Sequence, residues 1–144
     1  MNFAPFSIST LPKIEFGSGV IGKLPSLAAE FGKRVLLVTG AGSFTNSRHW
    51  PALSQAMRGA GLEVEVMRVS GEPSPTLIDD AVKQYQAAGF DVVLGIGGGS
   101  VMDAAKAVAG LLKPGNSVLD HLEGVGPELP YRGPATPLIA VPTT

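Results

Sequence analysis

The chain has 144 residues, of which 44% are hydrophobic and 16% are charged, a balance typical of a single globular domain. Its 11 Lys and Arg residues nearly match its 12 Asp and Glu residues, so the sequence excludes the broad positive field that attracts nucleic acid or an anionic membrane. The absence of cysteine excludes disulfide bonds and thiolate catalysis.

Targeting signals are also missing from the sequence. No apolar run approaches the roughly 20 residues that a transmembrane helix needs. Residues 1–10 lack the basic start and the apolar middle of a secretory signal peptide. Because nothing suggests an oxidising compartment, we expect a cytoplasmic protein.

Short apolar runs alternate with amphipathic segments along the chain. A brief strand is predicted at residues 13–16. A helix follows, with Pro25 near its first turn and apolar residues at helical spacing up to Phe31, before Gly32. The continuous apolar run at residues 34–39 predicts a parallel strand that is covered on both faces.

The remaining elements continue this alternation. In chain order they are a helix at residues 53–60, a strand at 62–69, a helix at 77–88, a strand at 91–96, a helix at 101–112, a helical turn near 118–122 and a strand at 138–141. Strands and helices that alternate at this spacing imply a doubly wound α/β sheet with right-handed crossovers and flanking helices. Such a sheet binds ligands at the carboxyl ends of its strands.

A glycine-rich turn between a predicted strand and a predicted helix is the strongest chemical signal. The turn reads Gly97-Gly-Gly-Ser100, and Asp103 follows within the helix. Glycines allow the backbone to approach a ligand, and the first amides of a helix favour an anion, so this turn predicts a pyrophosphate site. The alternative is a tight structural turn in which Ser100 caps the helix and Asp103 completes a capping box.

The motif Gly97-Gly-Gly-Ser100-x-x-Asp103-x-x-Lys106 resembles the signature of the iron-containing (group III) alcohol dehydrogenases. Other segments resemble the N-terminal domain of that family, namely Ile14-Glu-Phe-Gly17, Val35-Leu-Leu-Val-Thr39, Pro73-Ser-Pro-Thr76 and Pro137-Leu-Ile-Ala-Val-Pro-Thr-Thr144. Ser74 departs from the family, which has Asn between these prolines. The resemblance implies a Rossmann-like, mostly parallel sheet that forms a dinucleotide-binding domain over residues 1–144.

The resemblance also implies a role for each matching residue. The amides of Gly97, Gly98 and Ser100 would hold the pyrophosphate, and Asp103 would hydrogen-bond the nicotinamide carboxamide. Thr143 and Thr144 would contact the cofactor from the neighbouring strand. Lys106 belongs to the motif without an assigned role, and an ion pair with Asp103 or a solvated side chain would equally explain it.

The end of the predicted strand at residues 34–39 bears on the choice between NADP and NAD. Many family members place an acidic residue where this chain has Gly40, and that residue accepts a hydrogen bond from the 2′-hydroxyl of the adenosine ribose. Its absence removes the charge that would repel a 2′-phosphate. Ser43 and Arg48 are nearby donors for that phosphate. The alternative is a flexible turn that tolerates either cofactor.

The metal that the resemblance implies, Fe²⁺ or Zn²⁺, would be bound by one Asp and three His of a C-terminal all-helical domain. We expect that domain to be absent from this chain, because the sequence stops only three residues after the last predicted strand, at Thr144. His49 and His121 are expected to be surface or capping residues. Asp79 and Asp80, near a helix start, are expected only to favour the helix dipole.

The predicted function of the parent protein is hydride transfer between NAD(P) and a small alcohol or aldehyde. This chain would be its cofactor-binding half, with no catalytic residue of its own and no activity alone, and the parent would be a homo-oligomer. One alternative is a stand-alone module that binds a nucleotide or phosphosugar, and another is a fragment that only associates with copies of itself or with a partner chain. The parent could also be a related glycerol dehydrogenase or maleylacetate reductase.

Overall fold

Four parallel strands form the centre of the molecule, whose computed structural model describes residues 9–144. The strands are β1 (Arg34–Gly40), β2 (Glu63–Val69), β3 (Val92–Gly97) and β4 (Leu138–Pro142), and their order in the sheet is β2-β1-β3-β4. Every neighbouring pair is parallel. This architecture confirms the predicted α/β sheet, and the four predicted strands from residue 34 onward agree with it to within one residue.

Helices cover both faces of the sheet. They are α1 (Leu24–Ala29), α2 (Trp50–Gly59), α3 (Pro75–Tyr85) and α4 (Gly99–Leu111), and short 3-10 helices lie at Val20–Lys23, Gln86–Ala88 and Val118–His121. A proline occupies the first turn of α1, α2 and α3, where a missing N–H costs no hydrogen bond. Gly61 and Gly89 follow α2 and the 3-10 turn after α3 with positive φ angles of 74° and 66°.

Two apolar clusters hold these layers together. Leu36, Val38 and Val93 pack toward α3 and α4. Val35 and Leu37 lie on the opposite side of the sheet, where they pack toward α1 and α2. Because β1 and β3 bury both faces, their sequences are apolar almost without interruption, which is why they could be located from sequence.

The chain changes winding direction between β1 and β3, which are neighbours in the sheet. After β1 the chain continues into α2 on one face, and after β3 it continues into α4 on the other. The two connections leave adjacent carboxyl ends in opposite directions and open a crevice between them. In doubly wound sheets, ligands bind at this position.

The predicted strand at residues 13–16 is wrong. Residues 11–16 have no regular structure, and the side chains of Ile14 and Phe16 are 71% and 97% exposed. The segment pairs with none of the four strands, so its backbone gains no ladder hydrogen bonds. Instead, Lys23 Nζ donates a hydrogen bond of 2.8 Å to Glu15 Oε2.

The first predicted helix is also shorter than expected. It ends at Ala29, and Phe31, the last residue of the predicted apolar stripe, is 46% exposed.

None of the helices in residues 9–144 has the length and apolar character that crossing a bilayer requires. Residues 1–8, which include most of the segment without signal-peptide features, lie outside the described part of the chain.

Candidate functional site at the carboxyl edge of the sheet

The turn from β3 to α4 consists of a single residue, Gly98. β3 ends at Gly97, Gly98 adopts an extended backbone with φ −81° and ψ −166°, and α4 begins at Gly99. A Cβ atom on Gly97 would lie 2.6 Å from Cγ2 of Val101 in the first turn of α4. Glycine at this position is therefore required by the packing of the strand against its own helix.

Gly99 differs from Gly97 because no atom of the described protein requires it to be glycine. A Cβ atom on Gly99 would meet nothing within 4 Å, and its φ angle lies outside the left-handed region. A Cβ on Gly98 would lie 3.3 Å from Thr144 Oγ1, which is tight but not impossible. The backbone at Gly99 thus presents an open surface that a side chain would fill and that a ligand can approach.

The first turn of α4 has amides available for that ligand. The first four N–H groups of an α-helix have no acceptor within the helix. Within residues 9–144, the amides of Gly99, Ser100 and Val101 donate to no protein acceptor, and the first bond of the helix runs from Met102 N to Gly98 O at 3.0 Å. The helix dipole adds a partial positive charge at the same place. This geometry fits a phosphate group.

Ser100 does not cap α4, contrary to the capping alternative. The N-cap residue is Gly98, which forms no side-chain cap, and the Ser100 hydroxyl instead donates to Glu72 Oε1 at 2.9 Å. The alternative is wrong because α4 begins before Ser100, and the amide of Met102, which a cap at Ser100 would satisfy, already donates to Gly98 O. The capping box with Asp103 is consequently absent. A carboxylate from the segment after β2 therefore stands beside the open turn.

The end of β4 lies against the same turn. Thr143 N donates to Gly97 O at 3.0 Å, which continues the pairing of β4 with β3 beyond the last paired residues, Gly97 and Pro142. This bond places Thr144 beside Gly98, where a Cβ atom added to Gly98 would lie 3.3 Å from Thr144 Oγ1. The structure thus brings together Gly97, Gly98, Thr143 and Thr144, which the sequence had placed at one site.

The end of β1 forms the second wall of the crevice. A Cβ atom on Gly40 would lie 3.7 Å from Ser43 Oγ and 3.9 Å from Val101 Cγ2, which are ordinary contacts. The φ angle of Gly40 is not in the left-handed region. Neither space nor backbone conformation therefore demands glycine here, and Gly40 and Ser43 lie beside the first turn of α4.

Arg68 is a residue of this wall that the sequence interpretation missed. It pairs with Thr39 in the parallel register of β1 and β2. Its Nη1 donates to Ala41 O at 3.2 Å and to Thr45 Oγ1 at 2.9 Å, so the guanidinium lies against the loop that follows β1. The sequence signal that could have identified Arg68 is a cation near the carboxyl end of β2, the strand next to β1. Arg48, one of the two predicted donors, is exposed in the same loop, with its Nε 3.5 Å from Nε2 of His49.

The side chains of Asp103 and Lys106 lie on the exposed side of α4. The contact expected between Asp103 and the cofactor stays a prediction. Among residues 9–144 the ion pairs all join Lys13 or Lys23 to glutamates, so Asp103 and Lys106 form no such pair.

Asp79 has a different role from the one expected. It accepts hydrogen bonds from the Ser117 hydroxyl and from Val118 N, the latter at 2.8 Å, and so fixes the 3-10 helix at Val118–His121. The link between α3 and this helix joins residues far apart in sequence, which helical spacing alone does not reveal.

The two histidines lie in separate segments, His49 directly before α2 and His121 in the 3-10 helix after α4. The ring of His121 is hydrogen-bonded to Leu129 O and Asn116 Nδ2 at 2.8 and 2.9 Å. Residues 9–144 contain no group of three or more His, Cys, Asp and Glu side chains that could hold a metal ion.

Two side chains outside the crevice have shifted acidity. The hydrogen bond and charge of Lys23 lower the pKa of Glu15. Burial, assisted by the charge of Glu65, raises the pKa of Tyr85. Glu15 is an exposed residue of the N-terminal segment, whereas Tyr85 is buried in the cluster beneath α3 and α4.

Comparison with known proteins identifies a family for this chain. A family described as iron-containing alcohol dehydrogenase matches residues 12–144. The long-chain primary alcohol dehydrogenase AdhA of Thermoanaerobacter ethanolicus is 36% identical over 103 residues, which are 68% of this chain and 26% of that protein.

Solved structures extend the similarity to the whole fold. A crystal structure of an iron containing alcohol dehydrogenase matches 98% of this chain and 38% of its own, with a TM-score of 0.82 and 31% identity. The sulfoacetaldehyde reductase of Bifidobacterium kashiwanohense, solved in complex with NAD+, has a TM-score of 0.81 and 25% identity over 98% of this chain and 36% of its own. The chain spans less than half the length of each of these relatives. By its sequence and its fold, it belongs to the iron-containing alcohol dehydrogenase family.

Proposed function

We propose that residues 1–144 form the dinucleotide-binding domain of an NAD(P)-dependent and metal-dependent alcohol dehydrogenase or aldehyde reductase. The observation that carries this proposal is the open backbone at Gly99, beside helix amides that lack protein acceptors. Open space alone does not identify a ligand site, since Gly59 in α2 is equally open, but at Gly99 the open space coincides with the free amides of the first turn of α4. The complex of a structural relative with NAD+ supports a dinucleotide as that ligand.

Different residues of the crevice would bind different parts of the cofactor. The amides of Gly97, Gly98 and Ser100 would bind the pyrophosphate, and Thr143 and Thr144 would contact it from the end of β4. Asp103, one turn into α4, would accept a hydrogen bond from the nicotinamide carboxamide. The nicotinamide ring supplies the hydride chemistry, so the protein's task in this domain is to bind and orient it.

The catalytic metal, Fe²⁺ or Zn²⁺, would be bound by a C-terminal helical domain outside these residues. Such a metal polarises the carbonyl oxygen of the substrate, which would be a small aldehyde or the corresponding alcohol. The parent enzyme would be a cytoplasmic homo-oligomer. Cytoplasmic placement is supported by the absence of cysteine from the sequence.

NADP is proposed to be accepted at least as well as NAD. The support is Gly40, which places no carboxylate where the adenosine ribose would lie, although a side chain would fit there. A carboxylate at this position would repel the 2′-phosphate.

Binding and turnover measurements test the proposal together. Isothermal titration of the chain with NADPH should show binding at one site per chain, and Gly99→Val should weaken it strongly. Steady-state assays with short aldehydes and added Fe²⁺ or Zn²⁺ should show no metal-dependent turnover. Failure of both NADPH and NADH to bind would refute the proposed cofactor site, and saturable turnover would refute the assignment of catalysis to another domain.

A further inference from the structure

Arg68 is a cation that the local structure of β2 does not explain. It is exposed near the carboxyl end of this edge strand, and its side chain extends across to the loop after β1. Its neighbours in sequence, Met67 and Val69, are buried in the cluster beneath α3 and α4. Because side chains alternate along a strand, Arg68 points to the other face, on which the loop at residues 41–49 leads into α2.

The guanidinium has unused hydrogen-bonding capacity. Arginine has five N–H donors, and the contacts recorded for Arg68 use only those on Nη1. Within the described residues, no carboxylate lies within ion-pair distance of Arg68. The fork formed by Nε and Nη2 is therefore available to an anion, and its planar geometry matches two oxygens of a phosphate.

The position of the loop identifies which phosphate this is. The loop begins directly after Gly40, which lies in van der Waals range of the first turn of α4. A dinucleotide whose pyrophosphate occupies that turn places its adenosine ribose at the end of the neighbouring strand, β1. We infer that Arg68 binds the 2′-phosphate of NADP(H), an inference that rests on the proposed function.

The experiment compares two adenosine probes that differ at the 2′ position. Adenosine 2′,5′-bisphosphate and adenosine 5′-monophosphate are titrated against the wild-type chain, Arg68→Met and Arg58→Met. Arg58 is an exposed arginine in the last turn of α2 and controls for the loss of one positive charge. A charge-assisted phosphate contact corresponds to about tenfold or more in affinity.

The expected result is that the wild type binds the bisphosphate at least about tenfold more tightly than the monophosphate. Arg68→Met should remove this preference, with a loss of bisphosphate affinity that exceeds any loss of monophosphate affinity, and Arg58→Met should retain it. Equal loss of both probes in Arg68→Met would mean that Arg68 only orders the loop, and would overturn the inference.

Three further outcomes, the first of them from Arg48→Met titrated in the same way, would also overturn the inference. If Arg48→Met removes the preference and Arg68→Met does not, the phosphate ligand is Arg48. If the wild type binds both probes equally, the inference fails while the proposed nucleotide site stands. If neither probe binds, the proposed function fails with it.

Discussion

The two connections that border the crevice are built in opposite ways. One residue separates β3 from α4, whereas residues 41–49 separate β1 from α2. The short turn presents glycine backbone and free amides, whereas the long loop presents side chains such as Ser43 and is contacted by the guanidinium of Arg68 from β2. Backbone amides suit the pyrophosphate, which all nicotinamide dinucleotides share, and side chains suit the 2′ position, at which they differ. Affinity and cofactor choice should therefore be separable by mutation.

The largest effect is expected where the short turn is fixed by packing. Gly97→Ala places a methyl group within 3 Å of Val101, and overpacking of this kind costs about 1–3 kcal/mol. Gly59→Ala, at an open position in α2, should instead stabilise the chain by about 0.5–1 kcal/mol. Urea unfolding measures both values. An unchanged midpoint for Gly97→Ala would show that the turn relaxes easily and that its glycine is not a packing requirement.

Gly99→Val separates ligand binding from stability in the same turn. Its side chain points into open space, so stability should change by less than about 0.5 kcal/mol. The affinities for NADPH and NADH should fall equally, by at least about tenfold, because both pyrophosphates need the same surface. Gly59→Val is the matched helical control and should leave both affinities unchanged. Normal binding by Gly99→Val would place the cofactor elsewhere.

Gly40→Asp makes the complementary change at the long loop. A Cβ atom at this position makes only ordinary contacts, and the carboxylate that it carries should repel a 2′-phosphate. We expect NADPH affinity to fall about tenfold more than NADH affinity, in contrast to the equal loss in Gly99→Val. Gly40→Asn, which lacks the charge, serves as the control in the same calorimetric titrations. A wild type that strongly prefers NADH would contradict the interpretation of Gly40.

A pair of serine substitutions tests whether the first turn of α4 is uncapped. Ser74 caps α3 by accepting a bond from Leu77 N at 3.2 Å, so Ser74→Ala should cost about 1 kcal/mol. Ser100 caps no helix, and Ser100→Ala should change the free energy of unfolding by less than about 0.5 kcal/mol. Thermal unfolding of the two variants side by side decides the point. Equal losses of stability in the two variants would show that Ser100 does cap α4.

The smallest predicted effect concerns the carboxylate beside the short turn. Glu72 accepts a hydrogen bond from Ser100, so its negative charge lies near the phosphate that we place there. Glu72→Gln should raise NADPH affinity by roughly two- to fivefold, the range expected of an exposed charge pair. Glu63→Gln removes the same charge at the amino end of β2 and should have no effect. A weaker complex in Glu72→Gln would mean that this carboxylate assists the cofactor.

The sequence was most informative where local pattern and burial coincide. The apolar runs of β1 and β3 could be predicted because both faces of these strands are covered, and the glycine turn because it lies between such a strand and a helix. The segment at residues 13–16 looked like a strand, but strand formation depends on a partner that a local pattern does not reveal.

The details of the crevice were less predictable. The roles of Ser100, Asp79 and Arg68 depend on partners that lie 28, 38 and 27 residues away, namely Glu72, Ser117 and Ala41. Contacts over such separations follow from strand register and helix placement, which single-sequence patterns do not specify.

The most direct test of the central claim is an amide-shift titration of the chain with NADPH. We expect the amide signals from Gly97 to Val101 to shift on saturation, together with that of Gly40, while the signals of the amino edge of the sheet near Glu63 remain unchanged. The same titration with NADH should move the turn of Gly97 and leave the side-chain signals of Arg68 unaffected. Saturation without movement between Gly97 and Val101 would contradict the account and leave this turn a purely structural connection.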